Sequence, residues 1–313
     1  YHNMGNALNV KGDLQASIDS HRQALKIKPD YAEAYNNLGN RLNDKGDLDA
    51  AIDSYKQALK IKPDYAEAYN NLGNRLNDKG DLDAAIDSHK QALKIKPDYA
   101  EAYNNLGNAL NDKGDLQAAI DSFNRALKIK PDFAEAHNNK GTAQNSKNEL
   151  EVAIQSYKLA IQIQPDYVDA YNNLGNTLRS KGDLGAAIES FKQALAIKPD
   201  HAEVYNNMGL ALNDMGDSEA AIVSYNKALK LKPSYVEAYY NAGITLQGKG
   251  DLEAAIASFK QALKINPDYA EAHNNMGVAL FDKGDLEAAI NSYSKAVEVQ
   301  PDYAGAHNNM GIA

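Results

Sequence analysis

The sequence of 313 residues contains no cysteine. This absence excludes disulfides, thiolate zinc sites and cysteine nucleophiles, and it is compatible with any redox compartment. No stretch approaches the roughly 18 consecutive apolar residues of a membrane-spanning helix, so we expect no membrane partner. The net charge of −9 argues against a surface that follows nucleic-acid phosphates, so we expect no nucleic-acid partner. With no feature that assigns a compartment, the default expectation is a cytoplasmic location.

Proline occurs nine times, always at an interval of 34 residues. The prolines are Pro29, Pro63, Pro97, Pro131, Pro165, Pro199, Pro233, Pro267 and Pro301. We number the repeating unit from position 1 at Ala32, so that repeat 2 is residues 32–65 and repeat 3 is residues 66–99. These two repeats differ at a single position, where repeat 3 carries His89 in place of Tyr55. Such near-identity predicts duplication of one structural unit along the chain.

We therefore expect a single repeat array over residues 1–313. Its units are residues 1–31, 32–65, 66–99, 100–133, 134–167, 168–201, 202–235, 236–269 and 270–303, with a partial unit at 304–313. The sequence starts at position 4 of one unit and stops at position 10 of another, inside a predicted helix in both cases. We expect a piece of a longer protein whose apolar ends associate end to end.

Each unit has the pattern of two short helices. Apolar residues recur at spacings of three and four within each half of the unit, as in amphipathic helices. Asp64 followed by Glu67 predicts a capping box at the start of a first helix. Gly46 suits a left-handed position after a first helix, and Asp47 can then cap the second helix. Because one such hairpin cannot bury its apolar face alone, stacking predicts an all-α solenoid.

The unit resembles the tetratricopeptide repeat (TPR), a 34-residue helical hairpin. The matching residues of repeat 2 are Leu38, Gly39, Ala51, Tyr55, Ala58 and Pro63. Within this family the chain most resembles the TPR arms of protein O-GlcNAc transferases and related bacterial proteins, which share asparagine at position 6. The resemblance implies a right-handed superhelix whose first helices line an inner groove, with positions 2, 5, 6, 9, 12 and 13 facing inward. It also implies a scaffold that binds a protein or peptide ligand.

Residues capable of catalysis or metal binding have structural interpretations. Six of the seven histidines occupy positions 4, 24 or 34, which carry aromatic residues in other repeats, so we expect these histidines to pack. Asp44, Asp47 and Asp49 lack the ligand spacing of a calcium loop. The sequence has neither a phosphate-binding glycine loop nor a nucleophile–base–acid set. We therefore expect no catalytic residue, no metal and no cofactor, and a chain that is not an enzyme.

Asparagine stands at position 6 of every repeat, although it is a poor residue for a helix interior. Inheritance by duplication, or a structural amide that bonds across adjacent helices, would explain this. We favour a ladder of amides that binds a peptide backbone, since each amide carries donors and an acceptor. We expect amides such as Asn36, Asn40 and Asn43 to join this wall. The predicted ladder residues are Asn37, Asn71, Asn105, Asn139, Asn173, Asn207, Asn241 and Asn275.

The predicted inner wall is acidic, with Glu33 and Glu67 at position 2 and few cations. TPR domains that clamp the C-terminal carboxylate of chaperones use Lys or Arg on this wall. An acidic wall repels a carboxylate, so we expect acidic ligands to bind poorly.

Apolar residues replace the amides of this wall in the second half of the chain. Position 9 becomes apolar, and aromatic residues replace asparagine at one position 5 and one position 12. Drift in older copies is one explanation. We favour an apolar docking stripe, because contiguous exposed apolar surface marks partner sites. The predicted stripe consists of Leu210, Tyr240, Ile244, Val278 and Phe281.

The fifth repeat departs from the pattern. Lys140 and Gln144 occupy positions 7 and 11, which are apolar in the other repeats, and Asn148 replaces glycine at position 15. The sequence therefore predicts a weaker local core there.

Three functions remain open from the sequence. The leading one is a scaffold that binds an extended peptide in the groove. The second is the substrate-recognition arm of a larger enzyme, such as a glycosyltransferase. The third is an array that mainly assembles with itself.

Overall fold

The computed structural model describes residues 13–313, which form 18 α-helices and no β-strand. The all-α prediction is therefore confirmed for this part of the chain. Contacts divide the chain into two compact units, Tyr1–Gln164 and Pro165–Ala313. Each unit is a stack of helical hairpins. None of the helices formed by residues 13–313 combines the length and the hydrophobicity that a membrane span requires.

Each repeat that the structure describes in full consists of two helices, as its pattern of apolar residues predicts. The first helices are Ala32–Asp44, Ala66–Asp78, Ala100–Asp112, Ala134–Ser146, Val168–Lys181, Ala202–Asp214, Val236–Gly248, Ala270–Lys283 and Ala304–Ile312. The second helices are Leu14–Ile27, Leu48–Ile61, Leu82–Ile95, Leu116–Ile129, Leu150–Ile163, Leu184–Ile197, Ser218–Leu231, Leu252–Ile265 and Leu286–Val299. The first helix predicted for the first repeat would fall in residues 1–12, which lie outside the described residues.

The turn inside the hairpin of repeat 2 is built as predicted. Gly46 has a φ of 84°, a left-handed conformation that favours glycine, and the N–H of Asp47 donates to the carbonyl of Leu42 at 2.9 Å. The side chain of Asp47 then accepts a hydrogen bond from the N–H of Ala50 at 3.2 Å. In the fifth repeat Asn148 replaces this glycine and adopts the same conformation, with a φ of 62°.

The predicted capping box between Asp64 and Glu67 is wrong. The residue that caps this first helix is Tyr65, and the cap has no side-chain hydrogen bond. Asp64 lies one residue before the cap, which is too early to accept from the first turn. The Lys62 ammonium lies 4.7 Å from the centre of the Tyr65 ring, a cation–π contact. This contact gives the aromatic at position 34 a role that its sequence position alone did not indicate.

Close packing of the two helices explains the small residue at position 8. A Cβ added to Gly39 would lie 2.7 Å from Cε1 of Tyr55, so a larger residue would displace the ring. Tyr55 is 2% exposed and belongs to a core cluster with Leu38 and Leu42 in residues 1–164. In the unit at residues 165–313, Phe259 has the corresponding place. The aromatic ring at position 24 thus fills the space that glycine leaves.

The polar residues of the fifth repeat differ in how they are accommodated. Gln144 is 3% exposed, and its Oε1 accepts a hydrogen bond from the Ser156 hydroxyl at 2.7 Å. Lys140 is half-buried, and desolvation lowers the pKa of its ammonium. Leu38 and Leu72, which hold the equivalent position, are 7% exposed. The unfavourable residue in this repeat is therefore Lys140, because Gln144 has a buried partner.

Candidate functional site

Successive first helices contact one another within each unit. Inside each unit, a second helix that has a described first helix on both sides packs between the two. The first helices therefore carry the side chains that face one another along the stack. Positions 5 and 6 of these helices hold two adjacent columns of asparagine. The position-6 side chains are partly exposed, whereas Asn36, Asn70 and Asn104 at position 5 are 6%, 5% and 1% exposed.

The two columns are joined by hydrogen bonds between repeats in residues 1–164. The side-chain N–H of Asn71 donates to Oδ1 of Asn36 at 3.1 Å. Asn105 donates to Asn70 at 3.1 Å, and Asn139 donates to Asn104 at 3.2 Å. Each bond joins position 6 of one repeat to position 5 of the repeat before it. The amides at position 6 therefore stabilise contacts between repeats, which is the structural alternative that the sequence left open.

The same bonds recur in residues 165–313. Asn207 donates to Asn172 at 3.0 Å and Asn241 donates to Asn206 at 2.9 Å. In the next repeat Tyr240 stands at position 5, and its hydroxyl accepts from Asn275 at 2.9 Å. The hydroxyl of Tyr240 thus accepts the inter-repeat hydrogen bond that an asparagine oxygen accepts in the two preceding repeats.

The expectation that Asn36 contributes an exposed amide to the wall is wrong. Its side chain is buried, because Asn71 of the following repeat covers it and uses its oxygen. The exposed members are the position-6 residues, and the remaining two, Asn37 and Asn173, are also partly exposed.

Arginine at position 10 is a wall residue that the sequence reasoning missed. Arg41 pairs with Asp44 at 2.7 Å, and Arg75 pairs with Asp78 at 3.0 Å. These arginine side chains are 20% and 21% exposed. Nη1 of Arg75 also donates to Oδ1 of Asn43 in the preceding repeat. The cations of this wall are thus already paired, a pattern that a search for helix periodicity does not reveal.

The structure brings part of the predicted apolar stripe together. Val278 and Phe281 line a cleft of about 110 Å³ with Tyr293, Asn309 and Ile312. Tyr240 packs against the same core cluster as Val278 and Phe281, and its ring lies 4.9 Å from that of Tyr269. Leu210 is partly exposed and Ile244 is 37% exposed, and neither lines this cleft. Tyr240 is therefore partly a packing residue.

The histidines at position 24, His21 and His89, are buried as predicted, whereas His307 at position 4 is exposed. Nε2 of His137 and Nε2 of His273 lie 3.1 and 2.9 Å from the carbonyl oxygens of Pro131 and Pro267. His89 is fully buried, and desolvation lowers its pKa to about 4. Among residues 13–313 there is no group of three His, Cys, Asp or Glu side chains that could hold a metal. His2 lies outside the described residues.

Several solved structures resemble the chain. One is YrrB, described as a TPR protein with an unusual peptide-binding site: it is 26% identical, its TM-score is 0.49, and the match covers 60% of this chain and 97% of YrrB. MamA is 29% identical with a TM-score of 0.49, over 52% of this chain and 96% of MamA. The Cut9–Hcn1 structure is 17% identical with a TM-score of 0.62, over 96% of this chain and 59% of that one. The Cut9–Hcn1 match shows a shared fold.

The search of curated proteins found no match. A family model described as "TPR repeat" matches most of the sequence, at residues 5–40, 39–76, 73–111, 141–178, 175–216, 209–250, 248–284 and 279–313. A second model, "Tetratricopeptide repeat", matches residues 100–133. The helical hairpins, their 34-residue period and these matches agree, and the chain belongs to the tetratricopeptide-repeat family.

Proposed function

We propose that the chain is a protein-interaction scaffold whose position-6 amides bind the backbone of an extended peptide. The observation that carries this proposal is the row of partly exposed amides, of which several, such as Asn105 and Asn207, are held by a buried asparagine of the preceding repeat. In Asn105 and Asn241 one such bond occupies one N–H of the amide and leaves another N–H and an oxygen lone pair for a ligand. Nδ2 of Asn71 also donates to Asn40 at 3.3 Å, so Asn71 offers a ligand chiefly its oxygen. The inter-repeat bond therefore orients the amide before a ligand arrives, which lowers the entropic cost of binding.

The spacing of the repeats suits an extended ligand. Packed helices lie roughly 8–10 Å apart, and an extended chain advances about 3.3–3.6 Å per residue. One amide per repeat would then meet the peptide backbone at about every third residue. Since backbone groups are common to all peptides, this contact should tolerate changes in ligand sequence.

In this proposal, the apolar residues in the second half of the chain select among peptide ligands. Val278 and Phe281 share a cleft, and Ile244 is exposed on a neighbouring first helix. Apolar ligand side chains would gain from burial there. Acidic ligands should bind poorly in the first half, because the arginines at position 10 are already paired with aspartates.

A matched pair of variants tests the amides. Asn207→Ala and Asn172→Ala delete the same inter-repeat hydrogen bond, so each should lower stability by about 0.5–1.5 kcal/mol or somewhat more. Asn207→Ala also removes a partly exposed amide, whereas Asn172 is 7% exposed. Affinities for a panel of peptides should fall uniformly for both variants. The loss should be larger for Asn207→Ala, which removes the amide, than for Asn172→Ala, which keeps the amide and removes only the bond that orients it. If both variants bind like wild type, the amides are purely structural.

A second experiment tests the apolar residues. The double variant Ile244→Asn, Phe281→Asn places asparagine at position 9 of one repeat and at position 12 of the next. Repeats 2 and 3 carry asparagine at both of these positions. Binding of peptides with apolar side chains should weaken most, so that the rank order of the panel changes. A uniform loss across the panel would contradict a role in selectivity.

The second candidate is the substrate-recognition arm of a larger enzyme such as a glycosyltransferase. The resemblance at position 6 favours it, since that asparagine is the feature shared with the arms of O-GlcNAc transferases. The groove would bind a peptide in either case. An assay for sugar transfer by the full-length gene product separates the two candidates, because a scaffold has no such activity.

A further inference from the structure

A polar cavity lies over His89, at the one position where repeats 2 and 3 differ. In repeat 2 the Tyr55 hydroxyl fills this place and donates to Oδ1 of Asn40 at 2.7 Å. Imidazole is shorter than phenol, and a cavity of about 140 Å³ is found above the histidine. Its lining residues are Asn74, Asn77, Asp78, His89, Asn105 and Asn108.

The hydrogen bonds around His89 determine its tautomer. Nδ1 lies 3.2 Å from Oδ1 of Asn70, and that oxygen also accepts from Asn105. An amide oxygen can only accept, so the proton of the neutral imidazole resides on Nδ1. The other ring nitrogen, Nε2, therefore presents a lone pair, and it has no hydrogen-bond partner within the protein although His89 is fully buried.

A second buried acceptor belongs to the same cavity. Nδ2 of Asn77 donates to Asp112 at 2.9 Å, while Oδ1 of Asn77 is buried without a partner within the protein. In the preceding repeat the equivalent oxygen, on Asn43, accepts from Arg75. Ala109 holds the position in repeat 4 that Arg75 holds in repeat 3. Repeat 4 therefore has no arginine that could donate to the oxygen of Asn77.

We propose that this cavity binds a primary ammonium group, the lysine side chain of a peptide lying along the first helices. The lining presents the lone pair of His89, the oxygen of Asn77 and the carboxylate of Asp78. This carboxylate also forms an ion pair with Arg75. An ammonium has three donors and no acceptor, and so complements this set. The part of the proposal that concerns a peptide rests on the proposed function, whereas binding of the ammonium itself does not.

The first experiment uses n-butylammonium chloride as the probe and the ¹⁵N NMR signal of His89 Nε2 as the readout. A saturable shift is expected with n-butylammonium in the wild type. Tetramethylammonium, which has charge but no N–H donor, should leave the signal in place. The variant Ala109→Arg should abolish the response, because an arginine there supplies the donor that Asn77 lacks. An unshifted Nε2 signal in the wild type would overturn the proposal.

The second experiment uses a lysine-containing peptide that binds the chain and the same peptide with norleucine in place of lysine. Norleucine should weaken binding to the wild type by about tenfold, as expected for loss of a charge-assisted hydrogen bond. It should not weaken binding to His89→Tyr, which fills the cavity as Tyr55 does in repeat 2. If peptides bind without any preference for lysine, this inference fails and the proposed function stands. If n-butylammonium shifts His89 but no peptide binds, the ammonium site stands and the proposed function fails.

Discussion

Acidification should destabilise the chain through His89, whose side chain is fully buried beneath Gly73. Burial lowers the pKa of His89 from 6.5 to about 4. The folded chain therefore keeps this imidazole neutral down to that pH, whereas the unfolded chain binds a proton below about pH 6.5. Because the unfolded state binds more protons in this window, stability is fully present above pH 6.5 and falls as the pH approaches 4.

The size of the loss follows from the two pKa values. A tenfold change in proton affinity corresponds to about 1.4 kcal/mol, so a pKa lowered from 6.5 to about 4 removes about 3 kcal/mol of unfolding free energy. His89→Tyr removes this contribution, since a phenol does not titrate in this range. Tyr55, 2% exposed in the nearly identical repeat 2, shows that the larger ring fits.

Urea denaturation followed by far-UV circular dichroism at pH 7 and at pH 4 measures the effect. The wild type should lose about 3 kcal/mol more than His89→Tyr between these conditions. The reverse exchange, Tyr55→His, should enlarge the loss, because it buries one more imidazole at position 24. All other titrating groups are common to the variants and cancel in the comparison. Equal losses in the wild type and His89→Tyr would refute the reasoning.

Three other predictions concern the fold. Lys140→Leu should stabilise the chain by about 1 kcal/mol or more, since leucine packs at this position in other repeats; hydrogen exchange in the wild type should be fastest around residues 140–148, and uniform protection would contradict this. Asp47→Ala should cost about 1 kcal/mol in thermal or urea denaturation, whereas Asp64→Ala should cost little; equal costs would refute the cap at Tyr65. The mass measured by analytical ultracentrifugation should rise with concentration if the ends self-associate, and a constant mass would exclude it.

The fold of the described residues follows from the sequence because its signals are local. The spacing of apolar residues places two helices in each repeat, and Gly46 with Asp47 marks the turn between them. Such signals act over a few residues, so they can be read without the tertiary structure. The error at Asp64 is also local: the capping box begins one residue earlier than the helix allows.

The sequence by itself determined that asparagine recurs at position 6, but it could not determine what those amides do. Their partners lie 35 residues away, as in the bond from Asn105 to Asn70, and helix packing alone brings these side chains within 3.1 Å. The cavity over His89 likewise depends on side chains from repeats 3 and 4, and on the absence of an arginine at Ala109. Tertiary structure decided these features, because hydrogen bonds and cavities depend on distances between helices rather than on order along the chain.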